Sequence, residues 1–164
     1  MSNNKFVKIA PDFENRYPDS NAKATECAMN LVLTADLLEK RIASLLLPFH
    51  LSPASGLVLS ILADTETLVS PNNIADRLII SRASVTSLLD SLEKRGFLTR
   101  KPHPTDRRKL LVELTDSGRQ VANSFRPIVH QQQKVWLSAL NVKEQEQLIE
   151  MLHRLQIILI DAGQ

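Results

Sequence analysis

The sequence predicts a mainly helical fold that carries one two-stranded hairpin between long helices. Three observations lead there. Glycine is scarce, four in 164 residues, and aromatics make up 4%, so irregular loops should be few. Apolar residues recur in steps of three and four through most of the chain, the spacing of a buried helix face. Only after Gly96 does the pattern change to period two, in "FLTRK" and "KLLVEL", which are candidate strands. A hydrophobic content of 43% supports a real core, and the length suits one ordinary domain.

Each element has its own local cause. Residues 1–20 are polar, hold Pro11 and Pro18, and are expected to form an arm or loose leader. Between Asn21 and Leu47, the residues Ala24, Cys27, Ala28, Leu31, Ala35, Leu38, Ile42 and Leu45 make one long amphipathic stripe that Pro48 ends. In "LSPASGLVLSILAD", Ser52 is a good N-cap, and Pro53 sits at the first helical position, where a missing N–H costs nothing. The device recurs at Ser70–Pro71 and opens a short helix with Ile74, Ala75 and Leu78 facing inward. A tight turn at Ile79–Ser81 follows. Ser81 caps a second helix that runs to Arg95, and Gly96 supplies the left-handed end. After the hairpin, Thr115 caps a helix in which Pro127 should produce a kink or an interruption. Asn141 and Glu144 form a capping-box pair before a last helix, with Leu148, Met151, Leu152, Leu155, Ile158 and Leu159 apolar. The expected organisation is an arm (1–20), a long helix (21–48), a central lobe (49–118) and C-terminal helices (119–164).

Charge is concentrated in the middle. The formal net charge is only +2, but Ser70–Leu110 holds nine Lys/Arg against four acids. Such a patch is the usual footprint of a polyanion partner. The second short helix buries Val85, Leu88, Leu89 and Leu92 and turns Arg82, Ser84, Thr86, Ser87 and Ser91 outward. A merely solvated face would favour Glu and Lys for helicity. Small hydroxyls instead permit close approach to something large. The order helix, helix–turn–helix, two-stranded hairpin, helix is that of a winged helix–turn–helix. The hydroxyl-bearing helix would enter a major groove, and the cationic hairpin tip would reach a narrow, negative minor groove. Pro102 and Pro104 stiffen that tip. Asp106 is expected to pair with Arg100 or Arg108 and so to aim the wing.

The stretch "SPNNIADRLIISRASVTSLLDSLEKRGFLTRKPHPTDRRKLLVELTDSG" resembles the MarR-type (multiple antibiotic resistance) transcription regulators. The pattern is carried by Ile74-Ala75 through Leu78, Ser81 through Gly96, Arg100, Asp106-Arg107-Arg108, and Leu114-Thr115 through Gly118. The resemblance implies a homodimer whose N- and C-terminal helices intertwine and whose two lobes read a pseudo-palindromic double-stranded DNA operator. It also implies a repressor released by a small aromatic or anionic effector. Arg108 matches the family's minor-groove arginine. Ser87 departs from the family, where a larger basic residue is frequent. The candidate DNA-binding residues are Ser70, Asn72, Ser81, Arg82, Ser84, Thr86, Ser87, Arg100, Lys101, His103, Asp106, Arg107, Arg108 and Lys109.

Other chemistries find little support. The four histidines (His50, His103, His130, His153) have no metal-ligand spacing, and no phosphate loop or nucleophile motif occurs, so neither metal, cofactor nor enzymatic activity is expected. His50, at the junction of long helix and lobe, is a candidate for lining an effector pocket. Cys27 is a candidate oxidant sensor, but its place in the apolar stripe reads as a small core residue. A single cysteine, no apolar leader and no run of about 18 apolar residues lead to the expectation of a cytoplasmic protein without a membrane partner. The alternative reading is a winged-helix module that binds protein or RNA without operator specificity.

Overall fold

The structure is a computed structural model that describes residues 6–65, 67–106 and 109–162. The elements run in the order α1 (Phe13–Arg16), α2 (Ala22–Leu46), α3 (Pro53–Ala63), α4 (Pro71–Leu78), α5 (Arg82–Lys94), β1 (Leu98–Pro102), β2 (Leu110–Leu114), α6 (Asp116–Trp136) and α7 (Val142–Asp161). Single 3-10 turns follow α2 and α6. The chain divides into two compact units, residues 1–122 and 123–164.

The caps expected at Ser52, Ser70 and Ser81 are present, and Asn21 adds one that the sequence reading did not name; each side chain accepts the N–H three residues on. Asn141 and Glu144 form the reciprocal capping box. The strands pair antiparallel, with Arg100 opposite Val112, and Val69 adds an isolated bridge to Val112 on the other side. That third rung was missed in the sequence, because one residue between Leu68 and the Ser70 cap carries no strand period.

The lobe's core is Leu46, Val58, Leu59, Ile74, Val85, Leu89, Leu92, Leu98 and Val112, each at most 2% exposed. Each such side chain stabilises the fold by about 1.5–3 kcal/mol on leaving water. This core draws α2's end, α3, α4, α5 and the hairpin together, which sets the second short helix against the first.

Three expectations need correction. The arm is not loose from Phe6 onward. Asn30 on α2 accepts the Val7 N–H at 2.9 Å and donates to the Val7 carbonyl at 2.8 Å. Ile9 N–H reaches Glu26, and Ala22 N–H reaches Glu14. Of the kink or interruption expected at Pro127, the interruption is absent: α6 stays helical from Asp116 to Trp136. One proline removes one donor and clashes with one carbonyl, and the turns on both sides hold the helix. Cys27 is exposed rather than a core residue. A helical stripe marks what a helix can bury, and α2 buries only Leu46 within this chain. Among the described residues, no single helix is long and apolar enough to cross a membrane.

Candidate nucleic-acid interface

The helix–turn–helix depends on its turn. α4 ends at Ile79, whose φ of 53° and ψ of 44° are left-handed. Ile80 N–H then donates back to the Ala75 carbonyl at 3.3 Å, the Schellman closure. Ser81 starts the next helix two residues after Ile79. The change of direction is therefore completed in three residues, and the N-terminal half of α5 is left projecting.

On that half, Arg82, Ala83, Ser84, Thr86 and Ser87 are exposed while Val85 is buried. The hydroxyls are already engaged. The Ser81 and Ser84 oxygens lie 2.8 Å apart. Thr86 donates to the Arg82 carbonyl at 3.0 Å, and Ser87 to the Ala83 carbonyl at 3.2 Å. A hydroxyl that donates to its own backbone keeps acceptor capacity. Exposed base amino groups, on adenine N6 or cytosine N4, are the donors that such oxygens suit.

The hairpin tip is organised by His103. Its N–H donates to the Lys109 carbonyl at 2.9 Å, and its Nδ1 accepts the Thr105 N–H at 3.3 Å. Through these two bonds His103 fixes the turn of the tip. Lys109 lies 3.6 Å from Asp106 and also donates its N–H to the Asp106 carbonyl. Lys101 pairs with Glu113 across the strands. Arg107 and Arg108 lie outside the described residues. Between the wing and the N-terminal turn of α4 is an open groove of about 620 Å³, with Ser70, Asn72 and Asn73 on one side and His103 and Lys109 on the other. Four of the candidate residues from two distant parts of the sequence thus share one concavity.

Two cations of the basic segment are bound by groups of this chain. Arg95 donates to the carbonyls of His50 at 2.7 Å and Phe49 at 3.0 Å, and its guanidinium lies 4.5 Å from the centre of the Phe97 ring. It ties the end of α5 to the junction that follows α2, where His50 is itself left-handed at φ 54°. Of the two partners expected for Asp106, Arg108 lies outside the described residues and Arg100 is held elsewhere. Its guanidinium meets Asp90 at 2.7 Å and Glu93 at 2.8 Å, both on α5. The physical reason is position. Arg100 sits three residues into β1 beside the helix, whereas Asp106 lies at the far tip. The sequence did hold a signal: two acids spaced i, i+3 on a helix otherwise suited to a polyanion call for a cation nearby.

The hinge at the hairpin's base depends on Thr115 and Gly118. The Thr115 hydroxyl donates to the Gly96 carbonyl at 2.6 Å and accepts the Gly118 N–H at 3.0 Å. Gly118 is buried, and a Cβ there would lie 1.8 Å from the Phe97 carbonyl oxygen.

Residues 51–110, which span this lobe up to the start of β2, match the model of the MarR family. Over these residues the chain is similar to the MarR family. Among relatives, the chain is 36% identical over 81 residues to the uncharacterised HTH-type transcriptional regulator YkoM of Bacillus subtilis, and 39% identical over 59 residues to the HTH-type transcriptional repressor YetL of the same organism. These matches cover 49% and 36% of this chain and only 53% and 35% of the relatives. The likeness to the HTH-type transcriptional regulator PecS of Dickeya dadantii is lower, 26%, but extends over 93% of both chains. The fold also superimposes on the MepR–DNA complex of S. aureus, with a TM-score of 0.74 and 22% identity over 79% of this chain and 95% of that one. CouR of Rhodococcus jostii RHA1, bound to p-coumaroyl-CoA, gives a TM-score of 0.75 and 21% identity over 83% and 95%. At such identities the structural matches establish the fold alone, a winged helix–turn–helix.

Proposed function

We propose that this chain is a sequence-specific, DNA-binding transcription regulator of the MarR type, acting as a cytoplasmic homodimeric repressor that a small aromatic or anionic molecule releases. The observation that carries the reading is the pairing of two surfaces. An exposed hydroxyl-rich face on α5 stands beside a wing whose tip brings His103 and Lys109 together with the α4 N-terminus. The first suits base edges, and the second suits phosphates. The names of YetL and PecS and the DNA-bound state of MepR support the same reading, and the ligand of CouR supports an effector of this class. His50 is the candidate that connects such an effector to the lobe.

Within this reading, Arg82, Ser84, Thr86 and Ser87 contact bases or adjacent phosphates. Ser70, Asn72, Lys101, His103 and Lys109 hold backbone, and Arg107 and Arg108 supply the tip. Ser81 contributes as the cap that holds Ser84. The domain roles follow: the lobe at 49–118 binds DNA, and 21–48 with 119–164 dimerise.

The test is selection of bound duplexes from a random pool, followed by titration over salt. A regulator selects a two-fold motif and loses affinity steeply as salt rises. Lys109→Ala should weaken all selected duplexes alike and reduce the salt slope by about one. Arg108→Ala should cost about 1–3 kcal/mol. Ser84→Ala should change the preferred base at one position and leave the slope intact. Binding without any selected motif favours the non-specific interaction module instead.

A further inference from the structure

We propose that Arg100 is a positioning residue rather than a DNA contact: it clamps the wing onto the recognition helix by bridging Asp90 and Glu93. The proposal rests on the DNA-binding reading and specifies how that site is held. Arg100 belongs by sequence to the basic patch, yet its side chain is only 20% exposed. One guanidinium nitrogen meets Asp90 at 2.7 Å and lies 3.5 Å from the Thr86 carbonyl, and the other meets Glu93 at 2.8 Å. Glu93 also accepts the Arg100 backbone N–H at 3.0 Å, so one carboxylate grips strand and side chain together.

The arrangement answers two physical needs. A two-stranded hairpin is marginal by itself and needs packing against a neighbour. Leu98 and Val112 anchor this one at its base. The Arg100 bridge adds a second, directional attachment, and a planar guanidinium that satisfies two carboxylates at once fixes an angle as a lysine would not. Lys101 and Lys109 project from the strands just past this attachment. The second need is charge. Asp90 and Glu93 are uncompensated acids on the helix that faces phosphates unless Arg100 covers them.

A positioning role and a contact role predict opposite signs for one experiment. Four full-length variants are compared with the wild type: Arg100→Gln, Arg100→Lys, Asp90→Asn/Glu93→Gln, and the triple Asp90→Asn/Glu93→Gln/Arg100→Gln. Each is titrated with duplexes selected by the wild type over a range of salt. Each is also followed by amide hydrogen exchange without DNA and by thermal unfolding. With a clamp, Arg100→Gln and the acid-neutralised variant both bind about five- to tenfold more weakly, and the triple variant is no weaker than either, because the groups act as one unit. The salt slope stays at the wild-type value, since no phosphate contact is lost. Arg100→Lys recovers part of the affinity. The wing amides exchange faster in the free protein while the unfolding midpoint moves little.

If Arg100 instead touches phosphate, removing two acids tightens binding, Arg100→Gln lowers the slope by about one, and the effects add. That outcome overturns the proposal, as does unchanged wing exchange in Arg100→Gln. Should the wild type select no duplex, the DNA-binding reading has failed, and the exchange data alone decide whether the clamp exists.

Discussion

Gly118, Gly96 and Ile79 show how backbone geometry sets residue choice at single positions, and their substitutions should have different magnitudes and signs. A Cβ on Gly118 would meet the Phe97 carbonyl oxygen at 1.8 Å, and backbone cannot rotate aside as a side chain can. Gly118→Ala should therefore cost on the order of 3 kcal/mol in a urea titration, at the upper end of overpacking effects. Gly96 has φ 72° but nothing within 4 Å of a built Cβ, so Gly96→Ala should cost only about 1–2 kcal/mol, the left-handed penalty alone. Ile79 is the reverse case. A β-branched residue at φ 53° is strained, and its side chain is 59% exposed, so little packing is lost with it. Ile79→Gly should raise stability by about 1 kcal/mol. A variant no more stable than the wild type would mean that the turn carries no strain. These positions also mark what the sequence could and could not reveal. Gly96 was legible because glycine after a helix has a known use. Gly118 was visible only as a motif letter, since its constraint comes from a residue 21 positions earlier. Ile79 was silent, because nothing in an isoleucine announces a left-handed backbone.

At the scale of elements, caps and periodicity placed every long helix, because both are local properties. The N-terminal strap escaped for the opposite reason. It is held by Asn30 and Glu26, polar residues on the long helix, and its own residues show no period. Two hydrogen bonds from one Asn30 side chain to Val7 define it, and a third from Asn30 to the Glu26 carbonyl, at 2.7 Å, fixes the side chain's orientation. Asn30→Ala should thus speed exchange of the Val7 amide on the order of tenfold, at roughly 1 kcal/mol per lost bond, and leave global melting almost unchanged. Unaltered exchange would show that the strap is held elsewhere. Glu26 adds a pH dependence. The Ile9 N–H, and then the Lys23 side chain, favour its ionised form and lower its pKa below the ordinary glutamate range. A depressed carboxyl stabilises above its unfolded value, and that contribution is lost as the pH falls through the folded one. The strap should loosen in acid, below the ordinary glutamate range, and Glu26→Gln should remove this dependence when Ile9 exchange is followed against pH. The arginines at the site belong to the same lesson. Composition counted Arg95 and Arg100 as surface charge, but carbonyls of Phe49 and His50, and acids of α5, bind them.

For the whole molecule, the decisive feature is apolar surface left in water. On α2, Val32 and Leu37 are 67% and 60% exposed. α7 buries no residue within this chain, and Ile158 and Leu159 are 65% and 68% exposed. Each would contribute about 1.5–3 kcal/mol if covered, and a two-fold partner covers the same faces on both copies. The proposed homodimer accounts for this surface and makes a geometric demand on DNA. Two identical lobes require half-sites on one face of the duplex, about one turn or 10 bp apart. Inserting five base pairs between the half-sites rotates one of them to the opposite face. Only one lobe can then bind without distortion, and the gain from linked binding, about a hundredfold or more, is lost. Ile158→Glu with Leu159→Glu should produce the same loss by another route. Charges placed in the interface should shift the protein toward monomer in sedimentation and bring its affinity for the intact operator down to that for a single half-site. The two perturbations should not compound, because both remove the same linkage. A monomeric double variant that still binds the intact operator at full strength, or an inserted duplex that binds as tightly as the parent, would show that the lobes act independently and that α2 and α7 are covered by something other than a second copy.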